Sequence, residues 1–114
     1  MPIFKVDGEQ MKRVMINLLD NALDAIDGKG EIDINLSYIQ DVSIAKIEVA
    51  DDGRGISPDH KMRLFEPYFS TKKQGTGLGL AIVNAIITDH NGHIRVEDRE
   101  PRGTRFIIEL PAKI

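Results

Sequence analysis

The sequence predicts an α+β sandwich in which a mainly antiparallel sheet carries about three helices on one face. Three features predict it: a long apolar repeat of helical period near the N-terminus, two pairs of strand segments joined by short polar or turn-rich links, and a second helical repeat between those pairs. Strand pairs joined by short links make antiparallel hairpins, and helices set between hairpins pack on one side of the resulting sheet. The 114 residues, 41% hydrophobic and 29% charged, can bury one core and are too few for two, so residues 1–114 are expected to form one domain.

The first helix runs from Gly8 to about Ile26. Asp7 serves as its cap, and Met11, Val14, Met15, Leu18, Ala22, Ala25 and Ile26 recur at three- and four-residue intervals. Gly28 and Gly30 end it. Ile32, Ile34, Leu36 and Tyr38 then alternate with Glu31, Asp33, Asn35 and Ser37, the pattern of a strand with one wet and one buried face. A second strand follows with Ala45, Ile47 and Val49 facing inward, joined to the first by the short polar link Gln40–Ser43. Ser57-Pro58 reads as cap and first helical residue of a short helix from Pro58 to about Phe65. Glu66–Thr76 holds a proline, polar residues and two lysines without a sustained period, and is expected to be a mobile loop of the kind that covers a ligand. Helical spacing returns over Leu78–His90 and stops at Asn91-Gly92. The last two strands, His93–Glu97 and Thr104–Leu110, flank the turn-rich DREPRG.

Composition excludes several classes of function. Charges interrupt every apolar run well before the roughly 18 residues of a spanning helix, and MPIFKVDGEQ lacks the regions of a signal peptide, so no direct membrane contact and a cytoplasmic location are expected. With no cysteine there are no disulfides and no thiolate metal sites. A net charge of −3 offers nucleic acid no general attraction, so a polyanion has to be captured locally.

The residues suited to such capture are concentrated in three places. Asn17, Asn21 and Asp24 follow i, i+4, i+7 spacing and form one stripe beside the apolar face of the first helix. The stripe is either a solvated polar face or a contact for a metal and phosphates, because an amide oxygen can complete the oxygen shell of Mg²⁺ without adding charge. DDGRGI (Asp51–Ile56) leaves the end of a strand. Its glycines Gly53 and Gly55 permit a close backbone approach, and Asp51 at the rim of an apolar pocket suits an exocyclic amine such as N6 of adenine; a plain tight turn is the competing reading. GTGLGL (Gly75–Leu80) runs a glycine-rich segment into a helix N-terminus, which favours phosphate, and Lys72 and Lys73 stand just before it. It has neither the dinucleotide fingerprint nor the Gly-Lys-Ser/Thr ending of a P-loop. Phe65 and Phe69 read as anchors for the ends of the mobile loop. His60, His90 and His93 are scattered and form no ligand-spaced cluster.

Taken together, NLLDNALDA (Asn17–Ala25), DDGRGI (Asp51–Ile56), LFEPYFSTK (Leu64–Lys72) and GTGLGLAIV (Gly75–Val83) resemble the N, G1, F and G2 boxes of bacterial sensor histidine kinases, in order and over essentially the whole chain. The form STKKQGTGLGLAIV is most similar to the nitrogen-regulation branch. The resemblance implies the Bergerat (GHKL) ATP-binding sandwich shared with gyrase, with ATP and Mg²⁺ as ligands. It implies Asn21 as the Mg²⁺ ligand, Asn17 beside the phosphates, and Asp51 on adenine N6 in a pocket shaped by Gly53, Gly55, Ile56 and Phe65. Lys72 would reach the terminal phosphates, and Gly75, Thr76, Gly77, Leu78 and Gly79 would wrap the triphosphate. Arg63 is a weaker match to a basic residue near the γ-phosphate. Asp24 departs from the Lys common in the family and is closer to the gyrase-like ATPases.

Those ATPases use Glu at position 17 as the base that activates water, and an amide cannot take a proton, so Asn17 fits phosphoryl transfer better than hydrolysis. The implied acceptor is a histidine on a separate dimerisation domain, with a response regulator downstream. No such histidine motif occurs here, so a catalytic and ATP-binding fragment of a longer kinase is expected. A gyrase-like ATPase module and an anti-sigma-type serine kinase are the other functions this fold would serve.

Overall fold

The computed structural model describes residues 6–67 and 78–111. Helix α1 spans Gly8–Ala25. It is capped by Asp7, whose carboxylate accepts the Gln10 N–H at 3.1 Å, and it buries Val14, Leu18 and Ala22 along one face. The chain leaves it in an extended conformation at Ile26 and enters strand β1, Ile32–Ile39. A 3-10 turn over Gln40–Val42, closed by Ser43 with φ of 55°, reverses it into β2, Ile44–Asp51. Helix α2 is Pro58–Lys61 and helix α3 is Gly79–Asp89. Strands β3, His93–Asp98, and β4, Thr104–Pro111, complete the described elements.

The strands form one sheet in the order β1-β2-β4-β3, and every pairing in it is antiparallel. Two hairpins, β1–β2 and β3–β4, are thus joined along a seam between β2 and β4. Register sets the faces. Ile34, Val49, Phe106 and Val96 form one cross-strand row and Leu36, Ile47, Ile108 and Ile94 the next but one, all on the side that carries the helices. Val14, Leu18, Val83, Ile86 and Ile87 pack on that side against Val49, Phe106, Ile108 and Leu110, which makes the core.

The middle of the opposite face is a ladder of charges around Ile107. Ile107 is fully buried although it points away from the helices. Its cross-strand neighbours are Glu48 and Arg95. Arg105 bonds Glu48 at 2.5 Å and approaches Glu97 at 3.9 Å, while Arg95 pairs with Glu97 at 3.0 Å and with Glu109. The Arg105 guanidinium holds the Glu48 carboxyl below the usual carboxylate range. Partly exposed pairs of this kind contribute at most about 1 kcal/mol each. Their aliphatic stems matter more, because they lie in the row of Ile107 and in the rows flanking it and cover it from water.

Two expectations are corrected. The inward face of β1 is not buried: Ile34 and Leu36 are 52% and 62% exposed, because α1 packs over β2 and against α3 and leaves the β1 edge open. The second helix stops at Lys61 instead of near Phe65. Bonds from Arg63 N–H to His60 O and from Glu66 N–H to Arg63 O tighten the chain into successive turns. Leu64 alone in that segment is buried, and Pro67 disfavours a helical Glu66, so there is neither an apolar face nor a backbone to continue the helix. The greater part of the expected mobile loop, including Lys73 and Phe69, lies outside the described residues.

These exposures separate equivalent substitutions. Ile87→Ala, in a fully buried position, is expected to cost about 2–5 kcal/mol in urea denaturation. Leu36→Ala, on the open edge, should cost less than about 1 kcal/mol.

Candidate functional site

At the end of the β2–β4 seam two polar residues are buried where apolar ones would be expected. Asp51 closes β2 and is 3% exposed; Thr104 opens β4, is 2% exposed, and is its partner in register. The Asp51 carboxylate accepts the Gly53 N–H at 2.9 Å. Burial pushes its pKa above the ordinary aspartate value, against the opposing pull of that N–H. The Thr104 hydroxyl is buried and has no hydrogen-bond partner among the described residues. An orphaned donor beside a largely buried acceptor is costly unless something fills the space between them.

Both residues line a cavity together with Asn21, Gly55 and Ile56, and its apolar wall is Leu64, Leu80 and Phe106. As it stands the cavity holds about 50 Å³, room for a few waters, so a flat ligand requires its walls to part. Asn21 donates its side-chain N–H to the Asn17 carbonyl at 3.0 Å, which engages the amide nitrogen and leaves the oxygen as the end offered to a ligand. Among the described residues no group of three His, Cys, Asp or Glu could hold a metal. A cation here would take one amide oxygen and complete its shell from the ligand, which fits Mg²⁺ on a polyphosphate.

The turn after Asp51 is fastened to the carbonyl end of α1. Gly53 is glycine for want of space: a Cβ there would lie 2.4 Å from the Ala25 carbonyl oxygen. The Arg54 N–H donates to that oxygen at 3.0 Å, and the Arg54 side chain bonds both the Asp24 carbonyl, at 2.7 Å, and its carboxylate, at 2.9 Å. From the other side, Arg102 Nε donates to the Gly53 carbonyl at 2.8 Å. Gly103 lies so close to the Asp51 carbonyl that any side chain would overlap it.

The structure therefore gathers Asn21, Asp51, Gly55 and Ile56 at one cavity, while Gly53 is buried and does not line it. Asn17 stands one turn from Asn21 and faces α3, where a Cβ on Gly79 would sit 3.1 Å from its amide oxygen. Phe65 and Leu78 do not line the cavity. Phe65 packs on the core, and the neighbours Leu64 and Leu80 line the space instead. Lys72, Gly75, Thr76 and Gly77 lie outside the described residues. Sequence reasoning missed Thr104, Phe106 and Gly103. The available signal was the Gly-Thr pair at the head of the last strand, a small residue and a hydroxyl where an apolar strand begins.

A family model described as histidine kinase-, DNA gyrase B- and HSP90-like ATPase matches residues 6–114. Over 114 residues, all of this chain, the sequence is 40% identical to sensor histidine kinase ZraS of Escherichia coli K12, of which it covers 24%. It is also 40% identical to the sensory histidine kinase/phosphatase NtrB of Rhodobacter capsulatus, over 92% of this chain and 32% of that protein. The chain thus spans a quarter to a third of the length of these relatives. The nucleotide-free catalytic domain of histidine kinase ThkA superposes with a TM-score of 0.85 at 39% identity, over 96% of this chain and 70% of that one. Full-length ShkA in complex with AMPPNP gives 0.84 at 30% identity, over 100% of this chain and 24% of that one. ThkA in complex with the response regulator TrrA gives 0.81 at 34% identity, over 96% and 30%.

The raised pKa of Asp51 has a signed consequence for stability. The folded chain holds this proton more tightly than the unfolded chain, so stability from this group is greatest at low pH and is lost as pH rises from the ordinary aspartate range through the raised value. Urea melts of wild type and Asp51→Asn at pH 4 and pH 7 should show the wild type losing ground to the variant at pH 7. A gap that does not change with pH would contradict the assignment.

Proposed function

The chain belongs to the histidine kinase-, DNA gyrase B- and HSP90-like ATPase family, and on that premise we propose that it is the catalytic and ATP-binding domain of a sensor histidine kinase. The observation that carries this reading is the pairing of a buried Asp51 carboxylate with an orphaned Thr104 hydroxyl at the floor of an apolar cavity. An exocyclic amine beside a ring nitrogen offers what that pair lacks, a donor for Asp51 and an acceptor for Thr104, and adenine has this edge. ShkA, solved with AMPPNP, supports the same choice of ligand.

In this reading Asp51 and Thr104 hold the base, and Gly53, Gly55 and Ile56 shape its pocket. Asn21 lends its amide oxygen to Mg²⁺, which would neutralise phosphate charge. Asn17 stands beside the phosphates next to the start of α3, whose free N–H groups favour an anion. The motif residues Lys72, Gly75, Thr76 and Gly77, with Leu78 and Gly79, would enclose the triphosphate. The acceptor is a histidine on a separate dimerisation domain: its imidazole nitrogen bonds to the γ-phosphorus in line as the bond to the bridging oxygen breaks, and ADP leaves. This chain contributes binding, alignment and exclusion of water to that step. Asn17 cannot accept a proton from water, so transfer prevails over hydrolysis. A response regulator is the onward partner, as TrrA is in complex with ThkA. A cytoplasmic location suits ATP as substrate, and among the described residues no helix is long and apolar enough to cross a membrane.

Calorimetric titration with ATP and ADP, with and without Mg²⁺, tests this directly. Asp51→Asn should weaken both nucleotides about 10–100-fold, the worth of a charge-assisted hydrogen bond. Asn21→Ala should instead reduce the advantage that Mg²⁺ confers. The chain alone should turn over ATP negligibly, yet phosphorylate a histidine-bearing dimerisation domain supplied in trans. A wild-type chain that binds neither nucleotide would sink the reading.

A further inference from the structure

The residues around the cavity divide by exposure. Those already assigned roles are buried or half-buried, whereas Asp24 and Arg54 are exposed, with 39% and 49% of their side-chain surface open. These two side chains form the part of the wall that faces solvent. They also supply the part that is not wedged in the core, and a cavity of about 50 Å³ has to open there before a flat ring enters.

The Arg54 guanidinium is not a loose surface cation. Its two terminal nitrogens bond different acceptors on one residue, the Asp24 carbonyl at 2.7 Å and the Asp24 carboxylate at 2.9 Å, and the Arg54 backbone N–H is tied to the Ala25 carbonyl at 3.0 Å. Two bonds in the plane of the fork fix the orientation of that plane. The Asp24 carbonyl is one of those left unbonded at a helix C-terminus, where a cation is favoured. Along α1, Asp24 lies about 10 Å from Asn17, so the guanidinium stands at the Asp51 end of the site and away from the turn of α1 that meets α3. It is the single cationic residue of the described cavity lining.

We propose that Arg54, oriented by Asp24, is the outer wall of the base pocket and lies flat against the face of the bound base, a binding residue that favours a planar aromatic ligand irrespective of its phosphates. This role rests on the nucleotide reading above and adds to it a residue that recognises the ring face, where Asp51 and Thr104 recognise its edge. Asp24 is its positioning residue and meets no ligand itself.

The test is a ¹H–¹⁵N NMR titration of the 114-residue chain with adenosine and, separately, with ADP, on wild type, Arg54→Ala, Arg54→Lys and Asp24→Asn, with thermal melts to verify folding. A planar cation on an aromatic face is worth about 3- to 10-fold in affinity. Arg54→Ala should therefore weaken adenosine and ADP by the same factor in that range, Arg54→Lys should not restore it, and Asp24→Asn should produce a smaller loss for both. Loss confined to ADP would make Arg54 a phosphate ligand and overturn the proposal, as would full rescue by Lys or unchanged adenosine binding in Arg54→Ala. If Arg54→Ala fails to fold, Asp24→Asn decides, and unchanged adenosine affinity in that variant overturns it. Wild-type binding with unaffected variants counts against Arg54 alone; a wild type that takes up neither ligand overturns the nucleotide reading and this role together.

Discussion

Everything in the candidate site depends on the contact between the turn after β2 and the carbonyl end of α1. The sheet supplies Asp51 and Thr104, the helix supplies Asn17 and Asn21, and neither set is useful unless helix and sheet are held in one register. Gly53 pressed against the Ala25 carbonyl and the Arg54 bonds to Asp24 and Ala25 fix that register. The contact is made at a helix terminus, where carbonyls need donors in any case. One set of hydrogen bonds thus finishes the helix and aligns the site.

The electrostatics follow a division between the two faces of the sheet. On the outer face the charges of Arg95, Arg105, Glu48, Glu97 and Glu109 satisfy one another, and they act chiefly as a cover for Ile107. On the helix side charge is scarce, and Asp51 is buried with backbone N–H groups for partners and little solvent. A carboxylate kept in that condition is an expensive group, since burial disfavours its ionised form. A costly carboxylate at the floor of a cavity is what the proposed role in binding the base calls for.

The fold was largely legible because its signals are local. The Asp7 cap, the apolar stripe of α1, the alternation in β1 and β2 and the turn residues around β3 and β4 mark elements that the structure has at nearly the same bounds. What failed was what depends on distant packing. Nothing in Ile34 or Leu36 tells that α1 sits over β2 and leaves β1 bare, and the turns after Lys61 reflect the scarcity of burial more than any propensity. In the site, Asn21, Asp51, Gly53 and Gly55 could be read because glycines and polar residues break the periodic pattern. Phe106 could not, because a phenylalanine belongs in any strand, and Thr104 was marked only by the glycine before it. Their part in the cavity arises from the register of β4 on β2, fifty residues away along the chain.

That register has a kinetic side. The hairpins β1–β2 and β3–β4 each close over a short loop, whereas the seam between β2 and β4 unites residues separated by half the chain. Joining distant segments carries the larger loop-closure entropy, so seam closure is the slow, non-local step of assembly. Asp51 and Thr104 form the last rung of that seam. A chain that has only its hairpins possesses strands, turns and much of its helix, but no place for a ligand. Occupancy then reports on completion of the whole sheet, and a bound molecule would hold shut the one joint on which the two halves depend.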